Sequence, residues 1–139
     1  MFFTLFLLSL LVDLASSQSN EGYEVHVVNV LPNNDSPLKI HCASKTTDLG
    51  NHTLYVTNDF YWHFRMNFWH TTMFFCSFHW GSRNQAFEVF NEDIAYTCGF
   101  KPDGNICNWS VREDGFWLSN QVPPGPSQIK KYDWVLLEQ

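Results

Sequence analysis

The sequence predicts an all-β protein, a small antiparallel β-sandwich stapled by two disulfides. Three observations carry that prediction. Short alternating segments recur with turn signals about every eight to twelve residues, and no stretch holds a helical period. Four cysteines follow an apolar leader, the pattern of an exported chain whose thiols pair. In the run from Phe74 to Trp80, the side chains of Phe74, Cys76, Phe78 and Trp80 fall on one side of an extended strand, because strand side chains alternate with period two. A face this aromatic, with a sulfur in it, belongs in a core.

Taken in order, Met1 to Val12 is an apolar stretch too short to span a bilayer, and Ala15-Ser16-Ser17 supplies the small residues that a signal peptidase reads. Residues 1–17 are therefore expected to be a signal peptide, leaving 18–139 as a single soluble, secreted, extracellular domain with no membrane insertion. Tyr23 to Leu31 is Val-rich and ends at the turn Pro32-Asn33-Asn34-Asp35-Ser36-Pro37. Leu38 to Lys45 alternates, with Leu38, Ile40 and Cys42 inward. Leu49-Gly50-Asn51-His52 reads as a break before a strand over Thr53 to Thr57. Phe60, Trp62, Phe64 and Met66 share a face opposite His63 and Arg65. Gly81-Ser82-Arg83-Asn84 suits a hairpin into Ala86 to Phe90. Lys101-Pro102-Asp103-Gly104 is a turn, Cys107, Trp109 and Val111 alternate with Asn108, Ser110 and Arg112, and Asp114-Gly115 turns the chain into Phe116-Trp117-Leu118. Val122 to Pro126 reads as an exposed extended loop, and Tyr132 to Leu137 as a closing strand.

Removing the leader takes away Asp13 and leaves 13 acidic against 8 basic residues, a formal charge of −5. That balance argues against nucleic acid as a partner. The spacings between Cys42, Cys76, Cys98 and Cys107 contain no C-x-x-C pair, so disulfides are favoured over a metal site. Three connectivities are open. Loop-closure entropy leans to Cys42–Cys107 with Cys76–Cys98, since longer closed loops restrict the unfolded chain more. Asn51-His52-Thr53 and Asn108-Trp109-Ser110 are N-glycosylation acceptors, with Asn108 expected on the solvent face opposite Cys107 and Trp109. Asn34-Asp35-Ser36 also fits, but the following Pro37 should impair transfer.

The ordered set Val27 to Leu31, Leu38 to Lys45, Asp48-Leu49-Gly50, Phe74 to Trp80 and Cys107 to Gly115 resembles the plant self-incompatibility S-protein homologue family. It covers nearly the whole chain after the leader. The resemblance implies a β-sandwich with two disulfides, secretion and no catalytic residues. In the best-understood branch of that family, the protein is read by a membrane protein of incompatible pollen. The expectation for this chain is a ligand for a cell-surface receptor or other extracellular protein, in pollen rejection or another form of cell–cell communication. Its surface stretches 32–37, 45–53, 81–85, 91–95 and 120–131 would supply the specificity.

Other chemistries are weaker on the residues. His41, His63 and His79 project from polar strand faces, and two histidines with Lys39 are the parts an acid–base cleavage of RNA needs, but no acid, base and oxyanion constellation is readable at any spacing. Neither catalytic nor cofactor-binding residues are expected. Asn91-Glu92-Asp93 and Glu113-Asp114 lack the ligand density of a calcium loop and read as solvated turns. The alternative to a receptor ligand is a cell-wall glycan-binding module, for which Tyr61, Trp69, Phe75 and Trp117 are stacking candidates if they lie outside the core.

Overall fold

A computed structural model describes residues 22–99 and 104–137. The expected signal peptide, and Phe100 to Asp103 of the expected turn, lie outside the described residues. In chain order the elements are β1 (Gly22–Asn29), β2 (Leu38–Ser44), β3 (Asp48–Leu54), β4 (Asp59–Arg65), β5 (Phe74–Trp80), β6 (Arg83–Phe90), α1 (Glu92–Cys98), β7 (Asn105–Arg112), β8 (Gly115–Ser119), β9 (Ile129–Tyr132) and β10 (Val135–Leu136). They form two five-stranded sheets, one ordered β4-β1-β7-β8-β9 and the other β10-β6-β5-β2-β3. The fold is the sandwich that the alternation predicts.

The inner faces are the ones the period-two pattern selects. Val25 and Val27 of β1, Trp109 and Val111 of β7, and Phe116 and Leu118 of β8 are fully buried from one side. From the other come Leu38, Ile40, Cys42, Cys76, Phe78, Phe87 and Val89. Aromatic rings bridge the layers, with Phe78 and Phe87 both meeting Phe116 and Phe87 meeting Trp109 at centroid separations of 4.8, 5.1 and 4.9 Å. Edge and tilted ring contacts of this kind add to the area they bury.

Four local readings change. The expected break at Leu49-Gly50-Asn51-His52 is instead part of β3, with a shift of register against β2 between His41 and Ala43. Gly50 at φ +83° takes the backbone conformation that a bulge of this kind asks for. The acidic group at 91–93 opens a helix: the Asn91 side chain accepts from the Ile94 N–H as N-cap, and Glu92 and Asp93 occupy the first turn, where the helix dipole favours them. Seven residues are too few to show a helical period. The closing strand is broken at Asp133 and Trp134, so that β9 joins the first sheet and β10 the second. Lastly, all pairings are antiparallel except β1 with β7, which run parallel with Val25 beside Cys107 and Val27 beside Trp109.

The disulfides are Cys42–Cys76 and Cys98–Cys107, not the Cys42–Cys107 and Cys76–Cys98 pairs that loop length favours. Strand register decides it. Cys42 and Cys76 are directly opposed on β2 and β5, with Cα atoms 4.1 Å apart, whereas Cys107 lies in the other sheet. Cys98, at the end of α1, is brought to within 5.0 Å of Cys107 at the Cα atoms. One bridge thus lies inside a sheet and the other ties the helix to β7.

Candidate functional site

The sandwich presents two outer faces and the loops between them, and the polar residues singled out from the sequence divide among these. Lys39, His41, Ser77 and His79 share the outer face of the second sheet, since β2 and β5 pair with Lys39 opposite His79 and His41 opposite Ser77. β3 adds Thr53 beside Lys39 and Asn51 beside His41. These six residues line an open cavity of about 370 Å³. His63 is exposed on β4, in the first sheet, and does not join them.

Within the cavity His41 is committed, its Nε2 lying 2.7 Å from Asp48 Oδ1. The Gly50 backbone N–H, and after it the His41 ring, hold the Asp48 carboxyl below the usual carboxylate range. The side chains of Lys39 and His79 have no hydrogen-bond or ion-pair partner among the described residues. The pieces imagined for RNA cleavage are therefore neighbours, yet the one carboxylate bonded to a histidine here engages His41 and leaves His79 without an orienting partner. Among the described residues no group of three or more His, Cys, Asp or Glu converges in a way that could hold a metal ion.

The outer face of the first sheet carries an arrangement the sequence reading did not single out. His26 is only 8 % exposed and lies between two carboxylates, Nδ1 2.8 Å from Asp59 Oδ2 and Nε2 3.0 Å from Glu24 Oε2. The Tyr61 ring covers it, with centroids 4.9 Å apart. Glu24 and His26 are two apart on one strand, a spacing that was the available signal.

Asn108 does not face solvent. It does point away from Trp109, but the segment from Gln121 to Gln128 crosses over it. Its Nδ2 donates to Ser119 Oγ at 3.3 Å and to the Gln121 carbonyl at 3.1 Å, and the residue is fully buried. Further along the strap, Arg112 donates from Nη2 to Gln128 Oε1 at 2.7 Å and stacks its guanidinium over Trp117. Alternation found the correct side of β7, and the strap, a tertiary feature, removed that side from water. Peptide mapping of the secreted protein should find Asn108 bare, because a sugar on Nδ2 would replace one of the two donor hydrogens and has no room in a fully buried position. Asn51 is exposed on β3 and free to carry a glycan. Modified Asn108 in folded protein would contradict the buried position.

The most exposed aromatic among the described residues, Trp69, is in the turn between β4 and β5, outside every stretch expected to give specificity. Phe68 is 57 % and Trp69 77 % exposed, and their rings meet edge to face at 5.0 Å. The turn is fixed from beneath. The Asn67 N–H donates to Thr72 Oγ1 and its Nδ2 to Thr71 Oγ1, at 2.9 and 2.8 Å, while the Thr71 N–H donates back to Asn67 Oδ1 at 2.9 Å. Met66, 2 % exposed, anchors the turn into the core, and His70 holds φ at 55°. Of the four stacking candidates, Tyr61, Trp69 and Phe75 are exposed and Trp117 is half-buried under Arg112.

Comparison with known proteins gives one consistent group. The family described as plant self-incompatibility protein S1 matches residues 24–134. S-protein homolog 19 of Arabidopsis thaliana is 38 % identical over 96 residues, covering 68 % of this chain and 67 % of that protein. S-protein homolog 5 of the same plant is 38 % identical over 79 residues, covering 57 % of this chain and 58 % of its own length. A solved structure from the self-incompatibility protein homologues, described as a widespread family of small, highly stable, secreted plant proteins, superposes with a TM-score of 0.54 at 20 % identity, over 83 % of this chain and 96 % of that one. At that identity the superposition speaks for the fold.

Proposed function

This chain belongs to the plant self-incompatibility protein S1 family, and from that premise we propose that it is a secreted ligand, read by a receptor on a responding cell, that performs no chemistry of its own. The observation that carries the reading is the pre-ordered aromatic turn between β4 and β5. A Trp and a Phe held out to water cost the free protein hydrophobic exposure, and a partner that covers them recovers it. Large aromatics are the side chains that most often dominate binding energy, and a turn already fixed by Asn67, Thr71 and Thr72 loses little further entropy on docking. Signalling in pollen rejection or in another cell–cell exchange fits this reading equally.

Replacing Trp69 by Ala is expected to lower potency at least about tenfold in a dose-response of cytosolic calcium or growth on responding cells, the size of effect a hot-spot side chain has. Stability should stay within about 0.5 kcal/mol, as for other exposed positions. The same preparation should cleave no RNA. Unchanged potency for Trp69→Ala and for Phe68→Ala together would remove the turn from the contact surface.

A further inference from the structure

We infer that the cavity on the outer face of the second sheet is a binding site for an acidic oligosaccharide, a short chain of sugars carrying carboxylates. Three rows of side chains cross the sheet there. The first is Thr53, Lys39, His79 and Asn84, from β3, β2, β5 and β6 in that order. It contains a lysine free of any ion pair, a histidine ring free of any hydrogen bond among the described residues, and no acid. The second row is Asn51, His41, Ser77 and Ala86. Ser77 and Ala86 are small, which is why the face is hollow between its larger flanks. The third row brings Phe75, 44 % exposed, opposite Ala43 on one side and Glu88 on the other.

Each row suits one part of such a ligand. Directly opposed strand residues have Cβ atoms about 4.5–5.5 Å apart, so Lys39 and His79 reach a single carboxylate together, the first supplying charge and the second a ring N–H. Ser77 and Thr53 offer hydroxyl groups of the kind that replace water around sugar hydroxyls. Phe75 presents a face on which a sugar ring stacks. From Phe75 to His79 along β5 is about 13 Å, room for a short oligosaccharide and more than a lone anion uses. The acids on this face, Asp48 and Glu88, lie toward the aromatic end, and Asp48 is spent on His41. The face is therefore most positive at the Lys39 end, where one carboxylate of the ligand is held. No arginine fork is present in the cavity, which is the group a phosphate site usually recruits. The site is separate from the turn carrying Trp69, so the receptor reading stands or falls independently.

The test is calorimetric titration of the whole protein, produced in a host that adds no N-glycans so that Asn51 keeps its amide, with trigalacturonate, its fully methyl-esterified form, and inorganic phosphate. Binding of trigalacturonate that weakens at least tenfold in Lys39→Gln/His79→Gln and at least fivefold in the methyl ester is expected. His63→Gln, exposed on the opposite sheet, should bind as the parent does. Unfolding midpoints of all variants are compared, and both substituted side chains are exposed enough for the fold to survive. Absence of trigalacturonate binding at millimolar concentration, equal affinity for the methyl ester, or phosphate binding as tightly at the same two residues would each overturn the proposal.

Discussion

Trp109→Ala is expected to be among the most damaging single substitutions in the protein, costing about 3–5 kcal/mol. The indole is fully buried, lies against Phe87 and Tyr132, and donates from Nε1 to the Val89 carbonyl at 2.9 Å. That bond runs from β7 in one sheet to β6 in the other, so the truncation opens a cavity at the inter-sheet contact and strands a buried carbonyl as well. Domains of this size have about 5–15 kcal/mol in total, and the loss is a large share of it. Trp109→Phe separates the two effects by keeping most of the volume and removing only the donor, and should cost about 1–3 kcal/mol, the range for a buried polar group left unsatisfied. His41→Ala, half-exposed, should be nearly neutral. Denaturant unfolding of the three variants decides it. Equal losses for Trp109→Ala and His41→Ala would mean that the faces of the strands are wrongly assigned.

The second large effect concerns the disulfides. Cys42–Cys76 closes a loop of sequence separation 34 and Cys98–Cys107 one of 9. In the chain-entropy account these constrain the unfolded state by roughly 4 and roughly 2.5 kcal/mol respectively. Cys42→Ala/Cys76→Ala should therefore be the weaker protein of the two double variants when both are unfolded without reductant. The parent, denatured but not reduced, should react with no more than traces of a thiol reagent. Equal or reversed stabilities would show that native contacts of α1, and not loop closure, set the value of the shorter bridge.

What the sequence disclosed, and what it withheld, divides along the same line. Leu38, Ile40 and Cys42, or Cys107, Trp109 and Val111, declare their face because alternation is a property of a single strand. Cys42 opposite Cys76 is a property of two strands brought into register, and nothing local in either encodes it. Asn108 is the sharpest case: its side of β7 was read correctly, and its burial depends on a segment that crosses it only after the sheet exists. The helix at 92–98 was signalled by Asn91 ahead of Glu92 and Asp93, a cap that a search for periodicity passes over. Of the cavity residues Lys39, His41 and His79 were visible as polar outward positions, while Asn51 read as part of a break. Their convergence follows from the pairing of Lys39 with His79 and Thr53, which only the sheet supplies. Trp69 was readable as a stacking candidate, but its pairing with Phe68 in an ordered turn was not, because exposed aromatics look like core until the strands around them are fixed.

The parallel pairing of β1 with β7 also governs the order in which the molecule assembles. β1 is the first described strand, yet it is inserted between β4 and β7, and its partner across the parallel register begins at Asn105. The first sheet therefore has no centre until most of the chain is available, while in the second β2 with β3 and β5 with β6 are consecutive strands, and β2 with β5 closes over the separation of 34 that Cys42–Cys76 spans. Contacts of long sequence separation close slowly. The earlier-made half of the protein, already locked by Cys42–Cys76, would act as the template on which the other half is laid down. Until then the Val-rich β1 has β4 on one side only, and its other edge is the part of the nascent chain most in need of protection from pairing with another copy of itself.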